Sequence, residues 1–276
     1  MELSSLAAKA KQLQDNYQFE EAQQVYKEIF SGITKESDLE SEVLDGYAEL
    51  CSSLGDLTAA EQLYTKSLEL FPNENPHKYH WLAQVHTGKE ALTLYELGIN
   101  LMKQSPNSYK TQLATAYSAV AELYITDLCD EPNAEANCEN YLTKAIETDE
   151  MCLDAYQCLA NLKLITQKNT QAQEAMEKFK TILEHCGFNN LPSVNLLGEA
   201  ARTLVELEDY SGVLRVCEVA VSMDDTKNEL IYIFAFALCK LKHYEEASEL
   251  LDILTQRNLD PELSEATQEL INLINK

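Results

Sequence analysis

A spacing that returns seven times constrains this chain more than any other feature. A small or medium-sized residue is followed four positions later by a bulkier or softer one, and in four of the seven copies a second small residue comes three positions after that. The clearest copy is GDLTAAEQLYTKSLELFP (55–72), with Ala60, Tyr64, Ser67 and then Pro72. The others are centred on Ala22 and Tyr26, Ala91 and Tyr95, Cys138 and Leu142, Ala175 and Phe179, Val213 and Cys217, and Ala247 and Leu251. Residues four apart share one face of a helix. A small residue there admits a neighbouring helix, and the large one fills the gap beside it. Copies 31 to 47 residues apart are a structural repeat.

Each copy has an upstream partner with its own small residue, as in VLDGYAELC (43–51), AVAELY (119–124), YQCLANL (156–162), LLGEAARTL (196–204) and IYIFAFAL (231–238). The intervals are similar to those of tetratricopeptide repeats, whose units are antiparallel helix pairs stacked into one continuous core. The expectation is an all-α fold: a right-handed superhelix of about seven helix pairs, with a capping helix over about 261–276. Residues 1–276 are expected to form a single domain, with NNLPS (189–193) as a boundary between repeats. Pro72 ends the second helix of its pair, because proline cannot continue a helix. The fourth copy carries an enlarged turn, DLCDEPNA (127–134).

Composition agrees. Only 8 glycines and 6 prolines in 276 residues disfavour a turn-rich β protein, and 45% hydrophobic residues suffice for a core. The formal net charge is -25, from 46 acidic against 21 basic side chains spread along the whole chain. Such a surface repels nucleic acid and anionic lipid and attracts basic proteins; it also simply keeps a protein soluble. The eight cysteines show no CxxC spacing and mostly fall in apolar helical pattern, as buried free thiols in a reducing compartment do. MELSSLAAKAKQL reads as a helix start capped by Ser4 or Ser5, not as a targeting segment. No apolar run is long enough to cross a bilayer.

Chemistry-bearing patterns are missing. His77, His80 and His86 have no cysteine or carboxylate that completes a metal-ligand pattern, and NENPHKYHWLAQVHTG (73–88) reads as a loop entering a helix. There is no glycine-rich phosphate loop and no nucleophile motif, and Cys152 and Cys158 have no nearby histidine to activate them. The expectation is a protein without catalytic activity, cofactor or metal.

In stacked pairs the first helix of each pair lines the inner surface. Registering each first helix on its small residue gives the inward positions. Ala48 gives Glu42, Asp45 and Glu49; Ala121 gives Ser118, Glu122 and Ile125, with Asp127 at the helix end. Ala160 gives Asp154, Gln157 and Asn161; Ala201 gives Asn195, Arg202 and Glu206; Ala235 gives Glu229, Tyr232 and Phe236. The expected groove is acidic and polar, with aromatics near its end, and suits an extended basic peptide. Adaptors that hold the acidic tails of heat-shock chaperones need inward cations; here Ala7, Asp45 and Glu49 stand at comparable sites beside Lys11, which disfavours that function.

YHWLAQVHTGKEALTLYELGINLM (79–102), AVAELYITDLCDEPNAEANCENYLTKAI (119–146) and YQCLANLKLITQ (156–167) go beyond a generic repeat. They resemble the dedicated assembly chaperones of large-subunit ribosomal protein four (uL-four) in fungi, most specifically in ELYITDLCDEPNAE (122–135). The resemblance implies a chaperone that captures the new ribosomal protein, shields its basic internal loop, and delivers it to pre-ribosomes. It implies residence in cytoplasm and nucleus; the acidic surface argues against a direct nucleic-acid or membrane partner, and a capped array, which has no obligate need to pair, is expected to be a monomer. The chain ends at Lys276 without the long acidic tail of some such proteins and shows no basic import signal. Import is therefore expected to use the client's own signal or a transport receptor bound to it. The alternative reading is a scaffold subunit of a larger assembly.

Overall fold

The computed structural model describes residues 3–33, 40–187 and 191–274. Among them the chain is all α, with fifteen helices. The first helices of seven pairs are α1 (Leu3–Asp15), α3 (Ser41–Ser53), α5 (His77–Val85), α7 (Lys110–Leu123), α9 (Leu153–Ile165), α11 (Val194–Glu206) and α13 (Asn228–Lys240). Their partners are α2 (Phe19–Gly32), α4 (Leu57–Leu70), α6 (Gly88–Met102), α8 (Ala134–Thr148), α10 (Asn169–His185), α12 (Tyr210–Met223) and α14 (Tyr244–Thr255). The terminal helix α15 (Pro261–Ile274) packs on α13 and α14.

Two compact units divide the chain, Met1–Ala116 and Tyr117–Lys276, and the division falls within α7. In the N-terminal unit Ala7 and Ala10 of α1, Ala22, Tyr26 and Ile29 of α2, and Val43 and Leu50 of α3 form one apolar cluster. In the C-terminal unit a larger cluster runs from Leu153 to Ala237 and includes Phe179, Leu197, Leu204 and Val216. A second one joins Leu238, Leu251 and Leu254 to Leu270 of α15. Each fully buried leucine or phenylalanine contributes about 2 to 3 kcal/mol. The spacing read from the sequence accounts for these cores: Ala22, Ala60, Ala91, Cys138, Val213 and Ala247 have no exposure at all, nor do Ala48, Ala121, Ala160, Ala201 and Ala235 opposite them.

The turn inside a pair has its own recurring geometry. Tyr17, Gly55, Gln167, Glu208 and Lys242 all have a φ between 57° and 80° and all precede the second helix by two residues. The amide that follows each reaches back over the end of the first helix, as in Asp56 N to Cys51 O (2.9 Å), Lys168 N to Lys163 O (2.7 Å) and His243 N to Leu238 O (2.9 Å). Five helix ends therefore close with the same left-handed cap, and glycine, which tolerates it best, fills only one of them.

Caps were harder to read than cores. Helix α1 starts at Leu3, so Ser4 and Ser5 lie inside its first turn and are not the cap expected from the sequence. Side-chain caps stand elsewhere: Asp56, Ser193 and Asp209 accept from Ala59 N, Leu196 N and Gly212 N. Of the 189–193 boundary, Asn189 and Asn190 lie outside the described residues, and Leu191–Ser193 lead into α11. At the end of α4 the fully buried Lys78 ammonium donates to Ser67 O (3.2 Å), Ser67 Oγ (3.1 Å) and Phe71 O (2.5 Å). Three acceptors at the end of α4 satisfy the ammonium, which is how a buried cation is tolerated; both carbonyls also accept a backbone amide, from Phe71 N and Glu74 N.

Candidate functional site

In the N-terminal unit α1, α3 and α5 line a groove of about 480 Å³. Helix α3 contributes Glu42, Asp45, Gly46 and Glu49; α1 contributes Ala7, Lys11 and Gln14; α5 contributes His77, His80, Trp81 and Gln84. One register explains all three. Positions six and three before the small residue and one after it face the groove for Ala48 and Ala83, and positions three before and one after it do so for Ala10. The middle of those positions lies at the seam between neighbouring first helices, so Ala7 and Asp45 are buried and His80 is half-buried.

Three carboxylates face one ammonium, Lys11. Glu42 and Glu49 are exposed, whereas Asp45 is only 6% exposed. Asp45 Oδ2 accepts from Ser41 Oγ (3.0 Å) and Asn75 Nδ2 (2.7 Å), and its Oδ1 is buried without a partner. His80 adds no positive charge near neutral pH: burial, and then the neighbouring His77, pushes its pKa down to about 4. Burial, followed by the charge of Glu49, raises the phenols of Tyr26 and Tyr64 well above their usual range. Both stay neutral, and both register the negative field of the groove.

The groove wall is aromatic. Trp81 and Tyr64 lie 5.0 Å apart between ring centroids, tilted by 37°, and Trp81 Nε1 donates to Ser52 Oγ (3.0 Å). Tyr26 Oη donates to Gln14 Oε1 (2.9 Å), whose amide donates to Gly46 O (3.3 Å). A Cβ at Gly46 would collide with that tyrosine hydroxyl, so glycine is what lets the ring reach the groove. Trp81, His80, Gln84 and Asn75 were not among the sequence expectations. The signal for two of them was present: Ala83 sets the register for His80 and Gln84, with His77 beside them, as Ala48 does for Asp45 and Glu49, with Glu42.

The expected residues of the C-terminal unit are more dispersed. Glu122 on α7 and Asp154 on α9 share their surroundings with Glu199 on α11, a residue the register did not name. Crowding by protein, then the charges of Glu199 and Asp154, raises the carboxyl of Glu122; burial first raises those of Asp154 and Glu199 as well. Asp127 is exposed in the turn after α7, and Asn161 is half-buried on α9. Glu206 is exposed in the last turn of α11. Glu229 pairs with Arg202 (2.8 Å) beside a hollow of about 440 Å³ that Glu199 and Asn195 also line. Tyr232 and Phe236 stack at 6.4 Å and are half-buried against the core that includes Leu238 and Leu251. They contribute to packing at least as much as to an inner surface.

Among the described residues no three histidine, cysteine, aspartate or glutamate side chains are grouped to hold a metal ion, and no helix is long and apolar enough to cross a membrane. Six of the eight cysteines are buried free thiols, and burial holds Cys217 up to about 12. A thiol so protonated is inert.

No protein-family model matches the chain. Two curated proteins do, each described as a probable assembly chaperone of rpl4. The one from Schizosaccharomyces pombe is 28% identical over 200 residues, which is 69% of this chain and 60% of the relative. The one from Emericella nidulans is 23% identical over 230 residues, 78% of this chain and 58% of the relative. The matches thus span less than two thirds of either relative's length. Among solved structures, the assembly chaperone of RpL4 (Acl4, residues 1–338) superposes with a TM-score of 0.77 at 22% identity, over 90% of this chain and all of that one. A tetratricopeptide repeat protein from Parabacteroides merdae gives 0.61 at 15% identity, over all of this chain and 99% of that one. By fold the chain is therefore a tetratricopeptide-type array of seven helix pairs and a terminal helix, and by sequence it is similar to the probable assembly chaperones of rpl4 from two fungi.

Proposed function

We propose that this chain is an assembly chaperone, without catalytic activity, for ribosomal protein four of the large subunit. It would hold that protein's basic internal loop along its acidic inner positions and deliver it to pre-ribosomes. The likeness to two proteins described as probable assembly chaperones of rpl4 supports the client. The observation that carries the binding mode is the convergence of Glu42, Asp45 and Glu49 in one aromatic-walled groove opposed by a single lysine. Carboxylates gathered there attract a cationic segment, and their excess over bases discourages contact with RNA. Glu122, Asp154 and Glu229 give the second unit acidic side chains of its own. On this reading the chain works in cytoplasm and nucleus, as a monomer, and a transport receptor reaches it through the client.

The test is titration of the full chain with a peptide of the client's basic loop, at low and moderate salt. Glu42→Lys combined with Glu49→Lys changes two exposed side chains and leaves the buried Asp45 network alone. The expected result is binding that weakens as salt rises, and weakens about tenfold or more in the double variant with helicity unchanged. Equal affinity in wild type and variant would remove the groove from the binding site. Co-purification with one ribosomal protein, rather than with a fixed set of subunits, separates the chaperone from a scaffold.

A further inference from the structure

Asp45 is the odd member of the groove. Buried carboxylates are ordinarily saturated with donors, because an unpaired charged oxygen away from water is costly. Two donors, from Ser41 and Asn75, converge on Asp45 Oδ2, yet Oδ1 has none. The residue nevertheless lines the groove while its unmet oxygen is buried. The torsion that sets a terminal carboxylate is broad and soft. A donor arriving from the groove can thus be met by a small turn of the side chain.

The surroundings select the donor. Trp81, fixed by its bond to Ser52, presents a ring beside Tyr64, and Glu49 stands on the same face of α3 one turn beyond Asp45. A planar cation with several N–H groups satisfies all of these at once: it stacks on the indole, reaches down to Asp45, and retains donors for Glu49. Lysine meets the charge but offers neither the plane nor the fork.

We propose that the groove is an arginine subsite: one guanidinium of the bound segment donates to Asp45 Oδ1 and to Glu49 while its flat face lies against Trp81. This rests on the reading of the groove as the place where a basic client segment binds, and narrows it to one side chain. It also assigns the buried aspartate a role that a merely acidic surface does not require.

Trp81 is the only tryptophan of the chain, so its emission reports on this subsite without a label. The probe is the basic loop peptide of the client, together with a series in which each arginine in turn is replaced by lysine at constant charge. The expected result is a change of Trp81 emission on binding, with one replacement in the series weakening binding about tenfold and the rest nearly neutral. Asp45→Asn, which keeps shape and hydrogen bonding to Ser41, should weaken the parent peptide by a similar factor and erase the difference between arginine and lysine at that position. Should Asp45→Asn fail to fold, Glu49→Gln serves as the second variant and must reduce the same discrimination. Tight binding with no sensitive arginine, or with discrimination intact in the variants, overturns the subsite while leaving the chaperone reading standing. If no loop peptide binds the wild-type chain at all, the chaperone reading itself falls, and the subsite with it.

Discussion

Lys180 Nζ lies 2.5 Å from Asp209 Oδ2, joining the middle of α10 to the residue that caps α12. The lysine side chain is 9% exposed and also meets Glu177 at 2.7 Å. Asp209 in turn accepts from Gly212 N (2.9 Å) and Ser211 Oγ (2.9 Å). Burial would raise the Asp209 carboxyl, but the bonds from Lys180, Gly212 and Ser211 outweigh it and hold the group below the usual range. The pair links α10 of one helix pair to α12 of the next.

Asp209→Ala therefore removes a helix cap and leaves a mostly buried ammonium with one partner. The expected loss is about 2 to 4 kcal/mol of unfolding free energy, measured by denaturant titration. Because the carboxyl is depressed in the folded state, its contribution is present above the ordinary aspartate pKa and fades as pH falls through the lower folded value. A variant as stable as wild type at neutral pH would show that the contact contributes nothing.

The left-handed turns predict a gain. Glu208 and Lys242 hold the conformation that Gly55 holds in the second pair, at φ 57° and 67°. Glu208→Gly and Lys242→Gly should each stabilise the chain by about 0.5 to 1 kcal/mol, and Gly55→Ala should cost about as much. Thermal melts of the three variants check this. A loss in both glycine variants would mean that unfolded-state entropy dominates at these turns.

The carboxylates of Glu122, Asp154 and Glu199 predict the opposite pH behaviour to Asp209. Their folded pKa values lie above the ordinary range, so ionising them costs stability at neutral pH. Protonation in the folded state relieves that cost as pH falls, and below about pH 4, where the unfolded groups are also protonated, nothing remains of it. A Glu122→Gln, Glu199→Gln double variant should melt higher than wild type at pH 7, with the gap closing toward acid pH. A gap that is constant across the titration would assign the effect to something other than ionisation.

How much of this could be read beforehand follows from how local each feature is. The repeat positions Ala60, Tyr64 and Ser67 were legible because a helical face recurs at about 100° per residue whatever surrounds it, and all three are buried. The same rule placed Glu42 and Glu49 in a groove and would have placed His80 there had Ala83 been used to set the register. It could not tell that Asp45 sits at a seam between helices, bonded to Asn75 thirty residues away.

The sequence by itself determined the helices, their pairing and the buried small residues, because each depends on contacts three or four residues apart along one helix or on the stacking of like units. Only the tertiary structure decided which carboxylates share a surface, which one lies under it with an oxygen unmet, and which turns take a left-handed residue without glycine. Those outcomes depend on the rotation and approach of separate helices, and a shift of a few ångströms there exchanges a solvated charge for a buried one.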